Sequence, residues 1–501
     1  MQPVDDIIKY MNIYFFGHNY RYAVEQMLLT VFPDERPEYP EGVPEGDRME
    51  VYLRHNNGAA DATCLIVRGN GVWKGEDHAM LSDDADALLV NRTEQRLVKN
   101  AVYAAALDSG VAKPVWGALT GVRPGKVLCR ILDEEKNKEN ALLRFKSEYD
   151  VSEKRASLCM DTAGYTMRAK TKLGEKDICL YVGIPFCPTR CSYCSFVSQS
   201  VEKSMGLITP FVEALIKEIR AAANAVACAG LRPVSVYFGG GTPTTLLPEQ
   251  LEEIFTEMYS CFDLSSVSEF TVEAGRPDTI TPEKLDVMSS YGITRISVNP
   301  QTMSDRVLEV IGRRHTAADI MSAVEIARER GTFQINMDLI AGLPSDTTEN
   351  FADSLRTVTA LEPENITVHT LSLKKGARIL LEGTAVPSGN EVSCMLDYAM
   401  DCLRNLSYEP YYLYRQKFMS GGFENTGWTK KGCENLYNIC IMEELRSIVA
   451  MGGGGSTKLI RPGNGRNIRI MNPKYPKEYI DMIDKVCSDK NKIINFFSKG
   501  E

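Results

Sequence analysis

The chain has 501 residues, 44% of them hydrophobic and 25% charged, and a formal net charge of −9. That length and texture suit about two to four domains with a sizeable core, fewer if one is an α/β barrel. The acidic balance excludes a non-specific nucleic-acid binder, which needs a basic face, but leaves room for a local basic pocket.

The opening MQPVDDIIKYMNIYFF carries acidic residues where an export signal needs basic ones. No uninterrupted apolar run approaches the ~18 residues of a spanning helix. The 14 cysteines are too sparse for a disulfide scaffold in so long a chain. Most are scattered, as at Cys64, Cys129, Cys228 and Cys394, and read as reduced buried thiols. The expected compartment is a reducing cytoplasm.

Residues 1 to about 175 mix strand-like runs, NIYFF and TCLIV, with helical patterns around 92–108 and 138–170. His18, His55 and His78 in this region read as solvated or capping side chains. The joining segment WGALTGVRPGKVL contains GVRPGK, which fails as a phosphate loop. Thr120 stands where the first glycine is needed, and Val127 where Ser or Thr must follow Lys126. Its glycines and proline shape a turn instead.

From about residue 176 the texture changes. Short apolar runs, CLYVGI, VSVYF, EFTVE, RISVN, QINMDLI and ITVHT, alternate with helical patterns near 203–227, 247–260, 282–291, 316–331 and 348–361. Strands apolar on both faces between helices imply a covered parallel sheet. A curled six-strand barrel and a doubly wound sheet both fit, and in either the function sits at the strand C-terminal ends. A third region, about 386–501, opens with a helix near 391–406 and carries YEPYYLYRQKFMSGGFENTGW, LYNICIMEELRSIVAMGGGGSTKL and a lysine-rich tail. Its Gly452–Gly455 run is a backbone device. The expected domains are thus 1–175, 176–385 and 386–501.

PFCPTRCSYCSF packs Cys187, Cys191 and Cys194 into eight positions just after the first strand of the sheet. Chance would produce this spacing on the order of 0.01 times in a chain with this many cysteines. A structural zinc site wants four ligands in two spaced pairs. Only Cys179 lies near, inside the predicted strand. A disulfide would leave one thiol over. A 4Fe–4S cluster normally takes four thiolates, and three leave one iron open to bind a substrate or cofactor directly.

This spacing, Tyr193 before the last cysteine and the GIPFC lead-in resemble the radical S-adenosylmethionine (SAM) enzymes. The resemblance implies a 4Fe–4S cluster on Cys187, Cys191 and Cys194, with SAM chelating the open iron. It also implies one-electron cleavage of SAM to a 5′-deoxyadenosyl radical that abstracts hydrogen. The resemblance extends further. LYVGIPFCPTRCSYCSF, YFGGGTPT, TVEAGRPDTI, ISVNPQTMSDRVLEVIGRRH and NMDLIAGLP follow in that order. They closely resemble the oxygen-independent coproporphyrinogen III oxidase (dehydrogenase) family, in its long form with an extra N-terminal domain. VHTLS and YYLYRQ agree, and the match covers roughly residues 178–460. The implied fold is α/β: a partial (βα)6 radical SAM barrel with an α+β N-terminal domain and a small C-terminal domain that covers the substrate.

Several matched residues have a physical reading of their own. Gly239, Gly240, Gly241 and Thr242 follow the second strand, where glycines let backbone approach a ligand and offer donors to a carboxylate. The resemblance gives them the methionyl part of SAM. Glu273 ends the third strand, where a carboxylate can accept both hydroxyls of a ribose. Gln301 and Arg313 match SAM-contacting positions. Arginine's forked donors suit a carboxylate, and Arg314 is a competitor. Asp338 is a charge inside an apolar strand and needs a partner. The resemblance places it on the adenosine ribose, and Tyr181 beside cluster and SAM. His369 ends the sixth strand as a candidate substrate contact, and His315 follows the arginine pair.

Two positions depart from the family's best-described members. Gly183 stands where they have a histidine, and Phe196 where they have a fourth cysteine. Both lie where those members arrange a second SAM and the reaction centre. The resemblance implies oxidative decarboxylation of porphyrinogen propionates to vinyl groups, so a substrate with four carboxylates needs cations. Arg415, Lys417, Arg446, Lys374 and Lys375 are the candidates. The implied partners are a tetrapyrrole substrate and an electron donor such as flavodoxin or ferredoxin, with no nucleic acid and no membrane. A sister branch of heme chaperones keeps the triplet and has Phe at the Phe196 position. It carries a His-Asn-x-x-Tyr-Trp motif where this chain has ENLYNI, with Glu434 in place of the histidine. A radical SAM enzyme acting on heme itself is the third reading.

Overall fold

The computed structural model describes residues 9–81, 86–194, 199–372, 385–416, 422–461 and 467–498. Phe196, Lys374, Lys375 and Lys417 lie outside the described residues. The chain forms two compact units, Met1–Met160 with Gly421–Phe423, and Asp161–Ser420 with Glu424–Glu501.

In the first unit, β1 (Lys9–Phe16), β2 (Glu35–Glu38), β3 (Arg48–Asn56), β4 (Ala59–Arg68) and β5 (Gly71–Met80) form one sheet in the order β2-β1-β3-β4-β5. β1 is parallel to both its neighbours, and β3, β4 and β5 form an antiparallel meander. Alternate residues of β4 (Ala60, Ala62, Cys64 and Ile66) are fully buried, in one core with Val98, Ala101, Val102 and Ala105 of the helix Ala87–Asp108. The period-2 and helical patterns thus meet on one apolar layer. The pattern over 138–170 is two helices, Lys138–Tyr149 and Glu153–Lys172, because Asp150 turns left-handed (φ 52°) and donates its N–H to the Lys146 carbonyl. In GVRPGK, Pro124 opens the helix Pro124–Glu135 at its first turn. His18 hydrogen-bonds Val51 O, and His55 pairs with Glu94.

In the second unit the first strand is β6 (Asp177–Ile184). A two-residue pair, β7 (Phe186–Cys187) and β8 (Gln199–Ser200), follows it. Then come β9 (Arg232–Gly240), β10 (Glu269–Glu273), β11 (Arg295–Ser297), β12 (Gln334–Ala341) and β13 (Asn365–Thr370). The helices Ile208–Cys228, Pro248–Cys261, Pro282–Ser290, Ala317–Arg330 and Thr348–Ala360 connect the successive main strands. β6, β9, β10, β11, β12 and β13 are parallel and lie side by side in chain order. A doubly wound sheet would reverse at a switch point, so the arrangement is the singly wound α/β one expected for a partial (βα)6 barrel. It stays open. Both faces of β6 are buried, at Ile178, Leu180, Val182 and Ile184 on one and Cys179 on the other.

Apart from Gly421–Phe423, the part 386–501, expected as a third domain, falls within this second unit, and the boundary expected at 175 falls after Met160. The reason is strand pairing. β14 (Glu409–Arg415) and β15 (Glu424–Thr429) extend the sheet beyond β13, β15 pairing antiparallel with it. β16 (Ser447–Gly452) pairs parallel with the other edge, β6, and carries β17 (Ser456–Leu459) and β18 (Ile468–Met471). None of the 14 cysteines forms a disulfide, and Cys228 and Cys394 are exposed rather than buried. No helix among the described residues is long and apolar enough to cross a membrane.

Candidate active site

A cavity of about 560 Å³ opens where the parallel strands end. Tyr181, Cys187, Cys191, Cys194, Gly240, Gly241, Thr242, Glu273, Gln301, Arg313, Asp338 and His369 all line it. Positions from six strands converge there because parallel strands put every C-terminus at one end.

The cysteine loop is fastened on both sides. The N–H groups of Gly241 and Thr242 donate to Ile184 O and Phe186 O, each at 2.7 Å. On the other side Ser192 N donates to Ile311 O at 3.0 Å, and Thr189 Oγ1 to Gly312 O at 3.4 Å. Side chains reach the sulfurs themselves, among them Arg313, which bonds Cys191. Thr242 Oγ1 is 3.6 Å from Cys187 Sγ, and Arg276 Nη1 is 3.9 Å from Cys191 Sγ. A Cβ on Gly241 would stand 2.3 Å from Phe186 O, so this approach requires glycine. Gly239 does not line the cavity. Its missing Cβ makes room for the Glu273 carboxyl, which a side chain would meet at 3.1 Å. The expectation that these glycines offer donors is therefore corrected. The N–H groups of Gly241 and Thr242 are engaged by the cysteine loop, and that of Gly240 by Glu273.

Glu273 accepts the Tyr237 hydroxyl at 2.6 Å. Burial pushes its carboxyl up to about 7. The nearby Asp338 charge adds to this, and the Tyr237 and Gly240 hydrogen bonds oppose it. Asp338 goes the other way. Burial would raise it, but His369 at 3.7 Å and Asn336 Nδ2 at 2.8 Å hold it below the usual carboxylate range. Two neighbouring carboxylates thus have opposite tendencies. Tyr237 stacks on Tyr437 at 4.4 Å, with Tyr181 6.3 Å from Tyr237.

Gln301 is held in a left-handed conformation (φ 69°) because its N–H donates to Asp338 O and its carbonyl accepts from Ile340 N, prolonging the β11–β12 pairing past the end of β11. Such strain in a non-glycine residue costs on the order of 1–3 kcal/mol. Gln301 Oε1, Asn299 Oδ1 and Arg313 Nε are buried and have no hydrogen-bond partner among the described residues. Arg313 otherwise reaches Asn299 O at 2.6 Å and the Tyr193 hydroxyl at 3.2 Å. Its competitor Arg314 is exposed and paired with Glu202. His315 is buried near Asp278, 3.8 Å away.

Two candidate substrate cations are corrected. Arg415 is buried on the face of β14 opposite the cavity-lining Tyr412 and Tyr414, since strand side chains alternate. Arg446 donates to Gly174 O at 2.7 Å and to Leu173 O, at the start of β6 and the far end from the cavity.

A family model described as the radical SAM superfamily matches residues 181–358. The oxygen-independent coproporphyrinogen-III oxidase-like protein HemZ of Bacillus subtilis (strain 168) is 35% identical over 438 residues, 85% of this chain and 86% of HemZ. The chain belongs to the HemN-like radical SAM family. The heme chaperone HemW of Bacillus subtilis (strain 168) is 36% identical over 193 residues, 38% of this chain and 49% of HemW. Among solved structures, coproporphyrinogen III oxidase (HemN) from Escherichia coli superposes with a TM-score of 0.50 at 22% identity, over 64% of this chain and 72% of HemN, which shows the shared fold.

Radical SAM proteins use a 4Fe–4S cluster and SAM, and the residues present fit both. Among the described residues no three His, Cys, Asp or Glu side chains converge on a single ion. A cubane asks for less, since its thiolates each bind a separate iron, and three thiols line one wall here. The three orphaned buried polar atoms suit a polar ligand lying beside them.

Sequence reasoning missed Arg276, which is buried between Asp278 and the cysteine loop, at 3.1 Å from Thr189 Oγ1. Its only signal was a charged residue two positions before Asp278 in GRPD. It also missed the helix Leu436–Glu443, which presents Tyr437, Asn438, Ile441 and Met442 to the cavity. Glu269 receives that helix's first N–H groups, from Leu436 at 2.9 Å and Tyr437 at 3.3 Å, and is itself paired with Arg295 at 3.1 Å. A carboxylate at a helix N-terminus complements the dipole.

Proposed function

We propose that this chain is an oxygen-independent coproporphyrinogen III dehydrogenase. On this reading, a propionate side chain loses a hydrogen atom from its β-carbon, carbon dioxide and one electron to become a vinyl group. The electron passes to an external acceptor. The observation that carries the reading is the three cavity-facing thiols of Cys187, Cys191 and Cys194 in a chain that aligns with an oxidase-like relative over most of its length.

When bound, the cluster and SAM supply the one-electron chemistry that removes the hydrogen atom. The protein's own residues hold, orient and shield. Cys187, Cys191 and Cys194 would ligate the cluster, with Thr242 and Arg276 directing donors at two of the sulfurs. Such donors stabilise the more reduced, more negative cluster. Gln301, Arg313 and Asn299 would receive the polar ends of SAM, because their orphaned atoms lack protein partners. Asp338, ionised beside His369, suits hydroxyl donors, and Glu273 either accepts or shares a proton with its ligand. With the loop N–H groups engaged, what the glycine segment offers SAM is carbonyl oxygen, which fits an ammonium better than a carboxylate. Tyr181, Tyr237 and Tyr437 form an aromatic wall suited to a flat ring.

The similarity to HemW supports a second reading, heme holding without turnover. One experiment separates them. Anaerobically reconstituted protein is given SAM, a reductant and coproporphyrinogen III, and carbon dioxide and deoxyadenosine are measured. Release of both supports the dehydrogenase. Deoxyadenosine without carbon dioxide rejects it, and a stable Soret shift with heme then supports the chaperone.

A further inference from the structure

The Gly452–Gly455 run, whose Gly454 lines the cavity, is held by a fully buried ion pair between Glu218 and Lys490. Glu218, on the helix Ile208–Cys228, has no exposed side chain. Its carboxylate receives Gly452 N–H at 2.7 Å, Asn472 Nδ2 at 2.7 Å, Lys490 Nζ at 2.6 Å and the Tyr479 hydroxyl. Lys490 Nζ also donates to Ala450 O at 2.6 Å, and Asn472 Nδ2 to Gly452 O at 2.9 Å. Three separate pieces of the C-terminal region therefore converge on the last residues of β16. The turn that follows is pinned as well, through Gly454 N to Pro473 O at 2.8 Å and Asn472 N to Gly455 O at 2.9 Å.

What this network holds in place is a backbone-to-backbone contact with β6. A Cβ on Gly183 would stand 2.7 Å from Gly453 O, one on Gly452 2.2 Å from Gly183 O, and one on Gly453 2.6 Å from Pro185 Cγ. Two of these obstacles are backbone, which cannot swing aside as a side chain can. The space a side chain at 183 would occupy is filled by the peptide of Gly453. Gly454 and Ser456 then line the cavity. β16 adjoins β6 on the side away from β9, whereas the residues suited to SAM stand at the ends of β9 to β12. The turn thus borders the cavity outside the row of these residues, as Tyr412 and Tyr414 do at the other edge of the sheet.

We propose that the turn Gly452–Ser456 is a specificity-determining wall for the tetrapyrrole, and that Glu218 is the positioning residue that fixes it. This rests on the reading of the cavity as a site for SAM and a tetrapyrrole.

The test uses the full chain with its cluster reconstituted anaerobically, as wild type, Gly183→Ala and Glu218→Gln. Coproporphyrin III is titrated by fluorescence, and SAM by equilibrium dialysis. The expected result is about a tenfold rise in the coproporphyrin III Kd for both variants, with the SAM Kd and the iron content within about twofold of wild type. Gly183→Ala leaves the ion pair untouched, so it keeps the test decisive if Glu218→Gln, which strands the buried Lys490 charge, does not fold. Unchanged coproporphyrin III affinity in Gly183→Ala, or parallel loss of SAM and coproporphyrin III, overturns the inference. A wild-type protein that binds SAM but no tetrapyrrole would overturn the proposed function itself, and this inference with it.

Discussion

Replacing Glu273 by Gln tests the electrostatics of the cavity directly. Burial, and the negative Asp338 nearby, carry this carboxyl from its ordinary 4.5 to about 7 in the folded protein. A folded-state value above the unfolded one means that the folded form binds the proton more tightly. The contribution is therefore fully favourable below pH 4.5 and is lost as pH rises through 7. Above that the ionised carboxylate makes folding about 3 kcal/mol less favourable. Gln keeps an oxygen for the Tyr237 hydroxyl and the Gly240 N–H but does not titrate. The variant should accordingly gain on the wild type as pH rises, by about 3 kcal/mol between pH 4.5 and 8. Urea denaturation of cluster-free protein, followed by circular dichroism across that range, reads the difference and cancels the groups common to both. A flat difference, or one that favours the wild type at high pH, would refute the assignment of Glu273 as a buried carboxyl of raised pKa.

Cys191→Ala should lose the cluster, measured as iron content and visible absorption after reconstitution, and with it all deoxyadenosine release. Gly241→Ala drives a Cβ to 2.3 Å from Phe186 O. It should destabilise the second unit by about 1–3 kcal/mol and speed cluster loss to a chelator, because the displaced atom belongs to the cysteine loop. Glu269→Gln leaves Arg295 without its counter-charge and weakens the cap on the helix Leu436–Glu443. A loss of about 3–5 kcal/mol in chemical denaturation is expected. Arg446→Ala should leave tetrapyrrole affinity unchanged, because its guanidinium serves Leu173 and Gly174 at the far end of β6.

Much of the second unit was legible because its strands are apolar on both faces and its helices are not. EFTVE is β10 residue for residue. The triplet and the carboxylates at strand ends were legible because charge in an apolar strand, or three thiols in eight positions, has few structural explanations. What could not be read was set by distant partners. Glu269 and Leu436 are 167 residues apart, and nothing local to ENLYNI announces that a buried carboxylate caps its helix. The break at Asp150 carries neither glycine nor proline, so periodicity ran through it. Arg415 was misjudged for a simpler reason. YYLYR puts tyrosines on both faces, Tyr411 on that of Arg415, without saying which face meets the cavity; in the fold it is that of Tyr412 and Tyr414.

The departure at Gly183 gains a physical meaning from the strand beside it. A side chain there and the peptide of Gly453 compete for one space, and in this chain the peptide holds it through Glu218. Position 183 is thus not free to vary alone. A histidine at that position in this backbone would require the β16–β17 turn to move, because the peptide of Gly453 fills its space. Gly183→His by itself would not restore the arrangement of the family members with histidine there, because the imidazole would have to displace a backbone held by four donors to one buried carboxylate. The substitution should therefore lower tetrapyrrole affinity rather than convert the site. A Gly183→His variant that bound coproporphyrin III more tightly than the wild type would show that the turn yields, and that the network around Glu218 does not fix it.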